Sequence, residues 1–221
     1  MTKVKICGLM TYDDALMAAQ AGADLLGFNF YKKSPRYINP EDARYICDTL
    51  RENLHERCPM LVGVFVNEVV SGISVITNKV GLNFAQLHGD ESDAMLLELR
   101  GLGFKAIRPM NVAQAVDDAK YYKRALPHDE RAPSLLLDAF KPDAYGGTGE
   151  QTSNEIALAV KAEVPRLMLA GGLTSENVAA RVAAVQPWGV DVASGVEFDG
   201  QPGKKDPAKV QAFIQAAKRG N

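Results

Sequence analysis

The sequence predicts an α/β protein built as a single (β/α)₈ TIM barrel, and two observations support this fold class. Eight β-prone apolar runs follow one another along the 221 residues, and a helical stretch follows each run. Strict alternation of this kind favours parallel strands that are covered on both faces. No composition break or low-complexity run interrupts the pattern, so eight units without a remainder favour one closed barrel domain over residues 1–221.

The individual elements are predicted from apolar periodicity and from signals at the helix starts. The strands begin near Val4, Leu25, Leu61, Phe84, Lys105, Ser134, Arg166 and Gly189. The helices cover residues 12–21, 41–54, 68–80, 92–102, 112–126, 154–162, 175–186 and 207–218. Asn39 and Asp206 each precede a proline and are predicted N-caps, as is Asn67 for the third helix. Residues 152–155, Thr-Ser-Asn-Glu, resemble a capping box.

Composition excludes several classes of function. The chain is 47% hydrophobic and can bury a sizeable core, and its formal net charge of −2 provides no basic field for nucleic acid or an anionic membrane. No stretch approaches the ~18 apolar residues of a membrane-spanning helix. Cys7, Cys47 and Cys58 form neither a CxxC pair nor a His-containing cluster, so neither a metal site nor a disulfide framework is predicted. We expect a cytoplasmic, monomeric protein that acts on a small molecule.

Two glycine-rich strand ends predict a phosphate site. Residues 166–172 read Arg-Leu-Met-Leu-Ala-Gly-Gly, and residues 189–196 read Gly-Val-Asp-Val-Ala-Ser-Gly-Val. Barrels of this class often bind phosphate through backbone N–H groups after the seventh and eighth strands. The expected donors are the N–H groups of Gly171, Gly172, Ser194 and Gly195. The dipole of the helix after the eighth strand is expected to assist them, and the substrate is expected to be a phosphate ester.

Cys7 and Asp138 are the reactive groups predicted at strand ends. Cys7 ends the first strand, and Asp138 follows the apolar run of the sixth. The carboxyl ends of barrel strands share one rim, so a thiol and a carboxyl there could divide proton removal and proton donation on a sugar phosphate. Each residue also has a plainer interpretation. A lone cysteine is more often a small buried apolar residue, and Asp138 could cap a loop or pair with a lysine.

Nine short motifs fall at strand ends or βα loops of the predicted barrel. In order they are Lys-Ile-Cys-Gly (5–8), Gly-Ala-Asp (22–24), Gly-Phe (27–28), Ser-Pro-Arg (34–36), Gln-Leu-His-Gly (86–89), Leu-Leu-Asp (136–138), Gly-Gly-Thr-Gly (146–149), Leu-Ala-Gly-Gly-Leu (169–173) and Val-Asp-Val-Ala-Ser-Gly-Val-Glu (190–197). Together they resemble the phosphoribosylanthranilate isomerase family of the tryptophan pathway, over essentially the whole chain. One motif alone would be weak, but nine in the right order are specific.

The resemblance implies an Amadori rearrangement of N-(5-phosphoribosyl)anthranilate to 1-(2-carboxyphenylamino)-1-deoxyribulose 5-phosphate, without a cofactor. Such an enzyme is an intramolecular oxidoreductase, an aldose–ketose isomerase. By resemblance, Asp138 is the general acid that opens the ribose ring and Cys7 is the base that removes the C2 proton. Arg36 would hold the anthranilate carboxylate, a planar partner that suits a guanidinium. Asp191 could touch the ribose hydroxyls, and His88 could line the pocket or be satisfied by a neighbouring side chain.

The assigned roles need protonation states that free side chains do not have at neutral pH, since a free cysteine titrates near ~8.5 and a free aspartic acid near ~3.9. Lys5 lies two residues before Cys7 and would share its inward face, so its ammonium could help to hold a thiolate.

Some positions depart from the family pattern or carry a second interpretation. Residues 150–154 stand where the family commonly has an aromatic segment, and Asn29 replaces a commoner aliphatic residue. The glycines at 146, 147 and 149 predict a mobile loop that closes over substrate, although they could be ordinary loop residues.

Two rival functions remain open. A related phosphosugar isomerase, such as the histidine-pathway enzyme, would have an aspartate at the position of Cys7 and twofold internal repetition, which this sequence lacks. A noncatalytic barrel that binds a phosphorylated metabolite would retain the phosphate loops, but the combination of Cys7, Asp138 and Arg36 argues against it.

Overall fold

The computed structural model describes residues 1–139 and 152–220, and it confirms the predicted closed barrel. Its eight strands are all parallel to their neighbours, and the last strand pairs with the first. In chain order they are β1 (Lys3–Cys7), β2 (Leu25–Asn29), β3 (Met60–Phe65), β4 (Phe84–Leu87), β5 (Gly103–Ile107), β6 (Leu135–Leu137), β7 (Leu167–Leu169) and β8 (Gly189–Val192). Each begins within two residues of its predicted start, because short β-branched and leucine-rich runs mark buried strands well.

Helices follow the strands and form the outer layer. They are α1 (Tyr12–Gln20), α2 (Pro40–Leu54), α3 (Val70–Val80), α4 (Asp93–Glu98), α5 (Val112–Tyr122), α6 (Asn154–Glu163), α7 (Val178–Val185) and α8 (Pro207–Arg219). Short 3₁₀ helices cover His55–Arg57, Lys123–Ala125 and Ser194–Val196. Two predicted caps are confirmed: the Asn39 side chain accepts from the N–H of Asp42, and that of Asp206 accepts from the N–H of Ala208.

Two predicted caps are wrong. In one case the side chain forms a hydrogen bond elsewhere, and in the other a neighbouring residue caps the helix. Asn67 does not cap α3, whose N-cap is Val69; Asn67 lies at φ 53° and its side chain accepts from the N–H of Asp90. The predicted capping box at 152–155 is shifted, since Ser153 and not Thr152 caps α6 by accepting from the N–H of Ile156.

Three helices are at least four residues shorter than predicted, and the fifth of the eight ends at Tyr122 and continues as the 3₁₀ helix Lys123–Ala125. The fourth ends before residue 102, because Arg100 (φ 50°) and Gly101 (φ 85°) adopt left-handed conformations that turn the chain into β5. The seventh begins at Val178, because the Asn177 side chain accepts from the N–H of Thr174 and closes a turn there.

Alternation along the strands divides the buried residues into two layers. Side chains such as Leu26, Leu87 and Leu137 point outward and pack beneath the helices. The barrel interior is filled by a second cluster: Leu25, Val62, Phe84, Phe104, Leu136 and Met168, among others. Above this apolar plug, towards the carboxyl ends of the strands, the inward positions become polar, and there the functional site lies.

Within residues 1–139 and 152–220, no helix has the length and apolar character needed to cross a membrane. No group of histidine, cysteine and carboxylate side chains in that part of the chain is arranged to hold a metal ion. Cys7, Cys47 and Cys58 are all free thiols.

Candidate active site

A pocket of about 490 Å³ opens at the carboxyl ends of the strands, where barrel topology brings the βα loops together. This volume is within the usual range for small-molecule sites. The pocket collects all nine predicted site residues: Cys7, Arg36, His88, Asp138, Gly171, Gly172, Asp191, Ser194 and Gly195. Asn29 and Gln86 also line it. Residues more than a hundred positions apart in sequence therefore face one cavity.

Cys7 lies beside a buried ion pair. Lys5, fully buried two residues earlier on β1, donates from Nζ to Asp191 Oδ1 on β8 at 3.0 Å. Burial raises the pKa of the Cys7 thiol and the Asp191 charge adds to this, while the Lys5 ammonium opposes it without cancelling it. Burial alone would lower the pKa of Lys5, but the charges of Asp191 and Cys7 and the hydrogen bonds to both together outweigh it and raise that pKa. The raised pKa favours the thiol form of Cys7, which has a cation adjacent to it.

Gly27 on β2 leaves the space that this arrangement needs. A Cβ at this position would lie 2.8 Å from Cys7 Sγ and 3.0 Å from Lys5 Nζ. Any side chain there would displace the thiol, so a residue without Cβ is required on the strand that pairs with β1.

Arg36 is held by a carboxylate that sequence reasoning did not single out. Its Nε and Nη2 donate to Glu197 Oε1 and Oε2 at 2.7 and 2.8 Å. The buried Lys205 ammonium donates to the same Oε1 at 2.9 Å and to the carbonyl of Ala193 at 3.0 Å. Burial would raise the pKa of Glu197, but Arg36 and Lys205 outweigh it and lower that pKa. The guanidinium is thereby fixed in place.

The loop that carries Arg36 is ordered by Asn29, the residue that departs from the family pattern. Asn29 donates from Nδ2 to Ser34 Oγ at 3.2 Å and accepts from the N–H of Tyr31 at 2.9 Å. Ser34 Oγ in turn accepts from the N–H of Arg36 at 3.1 Å. The loop lies over Gly8, where a Cβ would be 2.5 Å from Arg36 Cδ. Asn29 therefore helps to position the guanidinium next to the end of β1.

The charges on this side of the pocket do not cancel. Lys5, Arg36 and Lys205 are three cations, and Asp191 and Glu197 are two anions, so the formal sum is +1 while Cys7 is a thiol. Buried charges are screened little by solvent, so one excess positive charge favours either a thiolate or an anionic ligand at this place.

Asp138 lies in different surroundings, at the end of the leucine strand β6. It is 4% exposed, and within the described residues each of its oxygens has one hydrogen-bond contact. Oδ1 accepts from the N–H of Ala139 at 2.8 Å, and Oδ2 lies 3.1 Å from His88 Nε2. His88 Nδ1 lies 2.7 Å from Gln86 Nε2. The interpretation of His88 as a residue satisfied by its neighbours fits this geometry, although the side chain also lines the pocket.

The two predicted phosphate loops lie against each other. Gly171 and Gly172 have φ of 82° and 59°, which aims their N–H groups in a direction that other residues rarely allow. A Cβ on Gly195 would overlap the carbonyl oxygen of Leu173, so the loop after β8 packs directly on the loop after β7. The N–H groups of Ser194 and Gly195 precede the first bonded turn of the 3₁₀ helix and are not used by it.

The predicted contribution of a helix dipole to phosphate binding stays a prediction. We expected the helix after the eighth strand to aid phosphate binding, but α8 begins only at Pro207 and contributes no residue to the pocket. The 3₁₀ helix Ser194–Val196 occupies that place instead. The glycines at 146, 147 and 149 lie outside the described residues, as do Glu150 and Gln151, so the predicted closing loop stays a prediction.

Sequence reasoning missed Gln86, Glu197 and Lys205. Gln86 and Glu197 stood within two of the nine motifs, but Lys205 carried no signal. Gln86 lies two residues before His88 and therefore points to the same inward face of β4, so a polar residue at that position could have been recognised as part of the site.

Comparison with known proteins is consistent with this geometry. The family model described as N-(5'phosphoribosyl)anthranilate (PRA) isomerase matches residues 4–216. An N-(5'-phosphoribosyl)anthranilate isomerase of Geobacter sp. (strain M21) is 45% identical over 222 residues, covering 99% of each chain. The crystal structure of the phosphoribosyl anthranilate isomerase of Thermotoga maritima superposes with a TM-score of 0.84 at 37% identity, again over 99% of each chain. Another solved phosphoribosyl anthranilate isomerase, 37% identical with a TM-score of 0.81 and 99% coverage of both chains, is in complex with reduced 1-(o-carboxyphenylamino)-1-deoxyribulose 5-phosphate.

Proposed function

The chain belongs to the N-(5'-phosphoribosyl)anthranilate isomerase family, and from this membership we propose that it catalyses the Amadori rearrangement of N-(5-phosphoribosyl)anthranilate in tryptophan biosynthesis. The product is 1-(2-carboxyphenylamino)-1-deoxyribulose 5-phosphate. The observation that carries the proposal is the shared pocket, in which Cys7 and Asp138 face one cavity together with Arg36 and two glycine loops. The relative bound to a reduced form of the same aminoketose phosphate supports this choice of ligand.

Asp138 acts first in the proposed sequence. Its carboxyl proton passes to the ribose ring oxygen, the bond between C1 and that oxygen breaks, and the nitrogen lone pair forms an iminium with C1. A carboxyl group buried behind a leucine strand and next to a histidine is placed for this transfer.

Cys7 acts second, as a thiolate. It removes the proton from C2, and the electron pair of that C–H bond moves towards the iminium to give an enolamine, which tautomerises to the ketone. C1 is thereby reduced and C2 oxidised within one molecule, so the electrons balance internally and the reaction is an aldose–ketose isomerisation. Burial raises the pKa of the Cys7 thiol, and the excess positive charge formed by Lys5, Arg36 and Lys205 over two carboxylates reduces the cost of forming the thiolate.

The remaining contacts orient the substrate. Arg36 keeps donors of its guanidinium for the anthranilate carboxylate after Glu197 has accepted two bonds. The N–H groups of Gly171, Gly172, Ser194 and Gly195 hold the phosphate, and Asp191 faces the ribulose hydroxyls.

A pair of cysteine variants tests the proposal. Cys7→Ala should lower kcat by about a thousandfold while the reduced product analogue still binds within about threefold of the parent affinity. Cys47→Ala, in which another buried free cysteine outside the pocket is changed, should retain full turnover. A barrel that only binds the phosphosugar would show no turnover in either variant or in the parent, and equal turnover of parent and Cys7→Ala would refute the assigned base.

A further inference from the structure

Gln86 on β4 and His88, which follows that strand, are two buried polar side chains. The proposed reaction gives neither of them a chemical role. They are 1% and 7% exposed, and they point inward above Phe84. Burying an amide and an imidazole inside a barrel is unfavourable unless each finds hydrogen-bond partners. Their partners are each other and Asp138.

We propose that Gln86 and His88 are positioning residues that load the proton that Asp138 delivers. This rests on the proposed function, because it explains how the assigned acid is recharged. The contacts form an unbroken chain from the Gln86 amide through both imidazole nitrogens to Asp138 Oδ2, with steps of 2.7 and 3.1 Å.

The chain has two states that differ by one proton. When the Gln86 NH₂ group donates to Nδ1, the neutral imidazole carries its proton on Nε2 and donates it to the Asp138 carboxylate, which is the unloaded state. When a proton from solvent binds to Nδ1, the new Nδ1–H can donate a hydrogen bond to Gln86 Oε1 after a half-turn of the terminal amide. The Nε2 proton can then pass to Oδ2, which leaves a neutral imidazole and a protonated Asp138, the loaded state.

Two observations favour this exchange. Among the residues that the structure describes, Gln86 Oε1 has no hydrogen-bond partner, so no contact there holds the amide in one orientation. On the other side of Asp138 the backbone of the next strand end lies close: a Cβ on Gly171 would lie 2.7 Å from the nitrogen of Ala139 and 3.1 Å from Asp138 Oδ1. Of the two described hydrogen-bond contacts of Asp138, the one to the imidazole is made by a group that can exchange a proton, and the other is made by a backbone N–H.

The glutamine is suited to this role because one amide offers both a donor and an acceptor. A glutamate at 86 would accept from Nδ1–H and could not donate to an unprotonated Nδ1, so it would favour the loaded state. A leucine would serve neither state.

Three variants and a control test the proposal through kcat and its pH profile. His88→Gln keeps an N–H that can donate to Asp138 but cannot carry a proton onward, so kcat should fall by about a hundredfold with affinity for the reduced product analogue kept within about threefold. Gln86→Glu should move the alkaline limb of the kcat profile to higher pH because it favours the loaded state, whereas Gln86→Leu, which serves neither state, should lower kcat. His128→Gln, the same change at an exposed histidine, should match the parent.

Nitrogen NMR of histidine-labelled parent protein provides a readout that needs neither turnover nor a variant. Nδ1 of His88 should change from unprotonated to protonated as pH falls through the kcat limb, while Nε2 changes from protonated to unprotonated because its proton passes to Asp138. An Nδ1 state that does not change over this range, or a parent pH profile in His88→Gln, would overturn the relay. Absence of isomerisation by the parent would instead remove the proposed function, and the two failures are thereby distinguished.

Discussion

The Cys7 side and the Asp138 side of the pocket face the same cavity but are built from different chemistry. Around Cys7, four buried charged side chains and the partly buried Arg36 form two ion-pair groups, Lys5 with Asp191 and Arg36 with Glu197 and Lys205. Around Asp138, among the residues that the structure describes, the hydrogen-bond partners are the His88 imidazole and the backbone N–H of Ala139, and the neutral amide of Gln86 contacts His88 in turn.

The difference follows from what each side has to do in the proposed reaction. A thiolate and an anionic substrate both need compensating positive charge, which only fixed cations supply in a buried place. A general acid has to gain and lose a proton in each cycle, and a titratable relay serves that purpose better than a permanent charge.

The largest effect should come from removing the proton donor. Asp138→Asn keeps the shape of the side chain but has no acidic proton, so we expect kcat to fall by about a thousandfold with unchanged affinity for the reduced product analogue. Steady-state turnover and equilibrium binding measure the two quantities. Asp48→Asn, on the exposed face of α2, is the control and should leave both unchanged. A kcat within about threefold of the parent would show that the acid lies elsewhere.

Glu197→Gln should break the charge network of the Cys7 side. Two cations, Arg36 and Lys205, lose their shared carboxylate, and loss of one member of a buried pair costs about 3 kcal/mol of unfolding free energy. Asp129→Asn removes the carboxylate of the exposed Arg131 pair and should cost less than about 1 kcal/mol. Urea unfolding of both variants tests this, and equal losses would contradict a special role for the buried network.

The difference in unfolding free energy between the parent and Glu197→Gln should also depend on pH, in a direction that the pKa of Glu197 determines. The folded-state pKa of Glu197 is lowered, because Arg36 and Lys205 outweigh the effect of burial. Its contribution to stability is therefore complete above the unfolded-state value near 4.5 and is lost as pH falls through the folded-state value. The stability gap between parent and Glu197→Gln should shrink in acid, whereas a gap that is constant with pH would mean that Glu197 acts only through packing.

Titration of the Cys7 thiol should show a smaller but directional effect. Burial raises the pKa of Cys7, so in the free protein its alkylation by iodoacetamide should reach half its maximal rate above the pH expected for a free cysteine. Lys5→Met removes the opposing ammonium and should move this midpoint higher still. A Cys47→Ala, Cys58→Ser background leaves Cys7 as the only thiol. A midpoint below that of free cysteine would mean that the resting state is already a thiolate.

The smallest effect should come from Asn29→Ala. The loop that carries Arg36 loses two hydrogen bonds, from Asn29 to Ser34 and from Tyr31 to Asn29, which together are worth about 1 to 2 kcal/mol. Because Arg36 remains paired with Glu197, we expect KM to rise about threefold with kcat unchanged. An equal fall in kcat would mean that the loop also positions Cys7.

The barrel and the reactive strand ends could be predicted from sequence because topology alone determines them. Parallel strands of a closed barrel end at one rim, so Cys7, Asp138 and the glycines at 171 and 195 had to converge once the alternation was read correctly. The glycines could also be recognised in the sequence, because a residue at positive φ or in close backbone contact is usually a glycine.

The charge network could not be predicted in the same way. Arg36 and Glu197 are 161 positions apart, and nothing local in either segment says that their side chains meet. The wrong prediction for Asn67 has a similar origin. An asparagine before a helix is often its N-cap, but here the Asn67 side chain accepts a hydrogen bond from the backbone N–H of Asp90. In both cases the local sequence allows more than one hydrogen-bond partner, and tertiary contacts determine which partner is used.

The most direct test of the account is the decay of substrate fluorescence when purified protein meets freshly generated N-(5-phosphoribosyl)anthranilate in the presence of a chelator. We expect the protein to cause a rapid loss of the fluorescence signal with no added metal or cofactor. Folded protein that binds the reduced product analogue but leaves the fluorescence unchanged would contradict it, and would identify the pocket as a phosphosugar-binding site without isomerase chemistry.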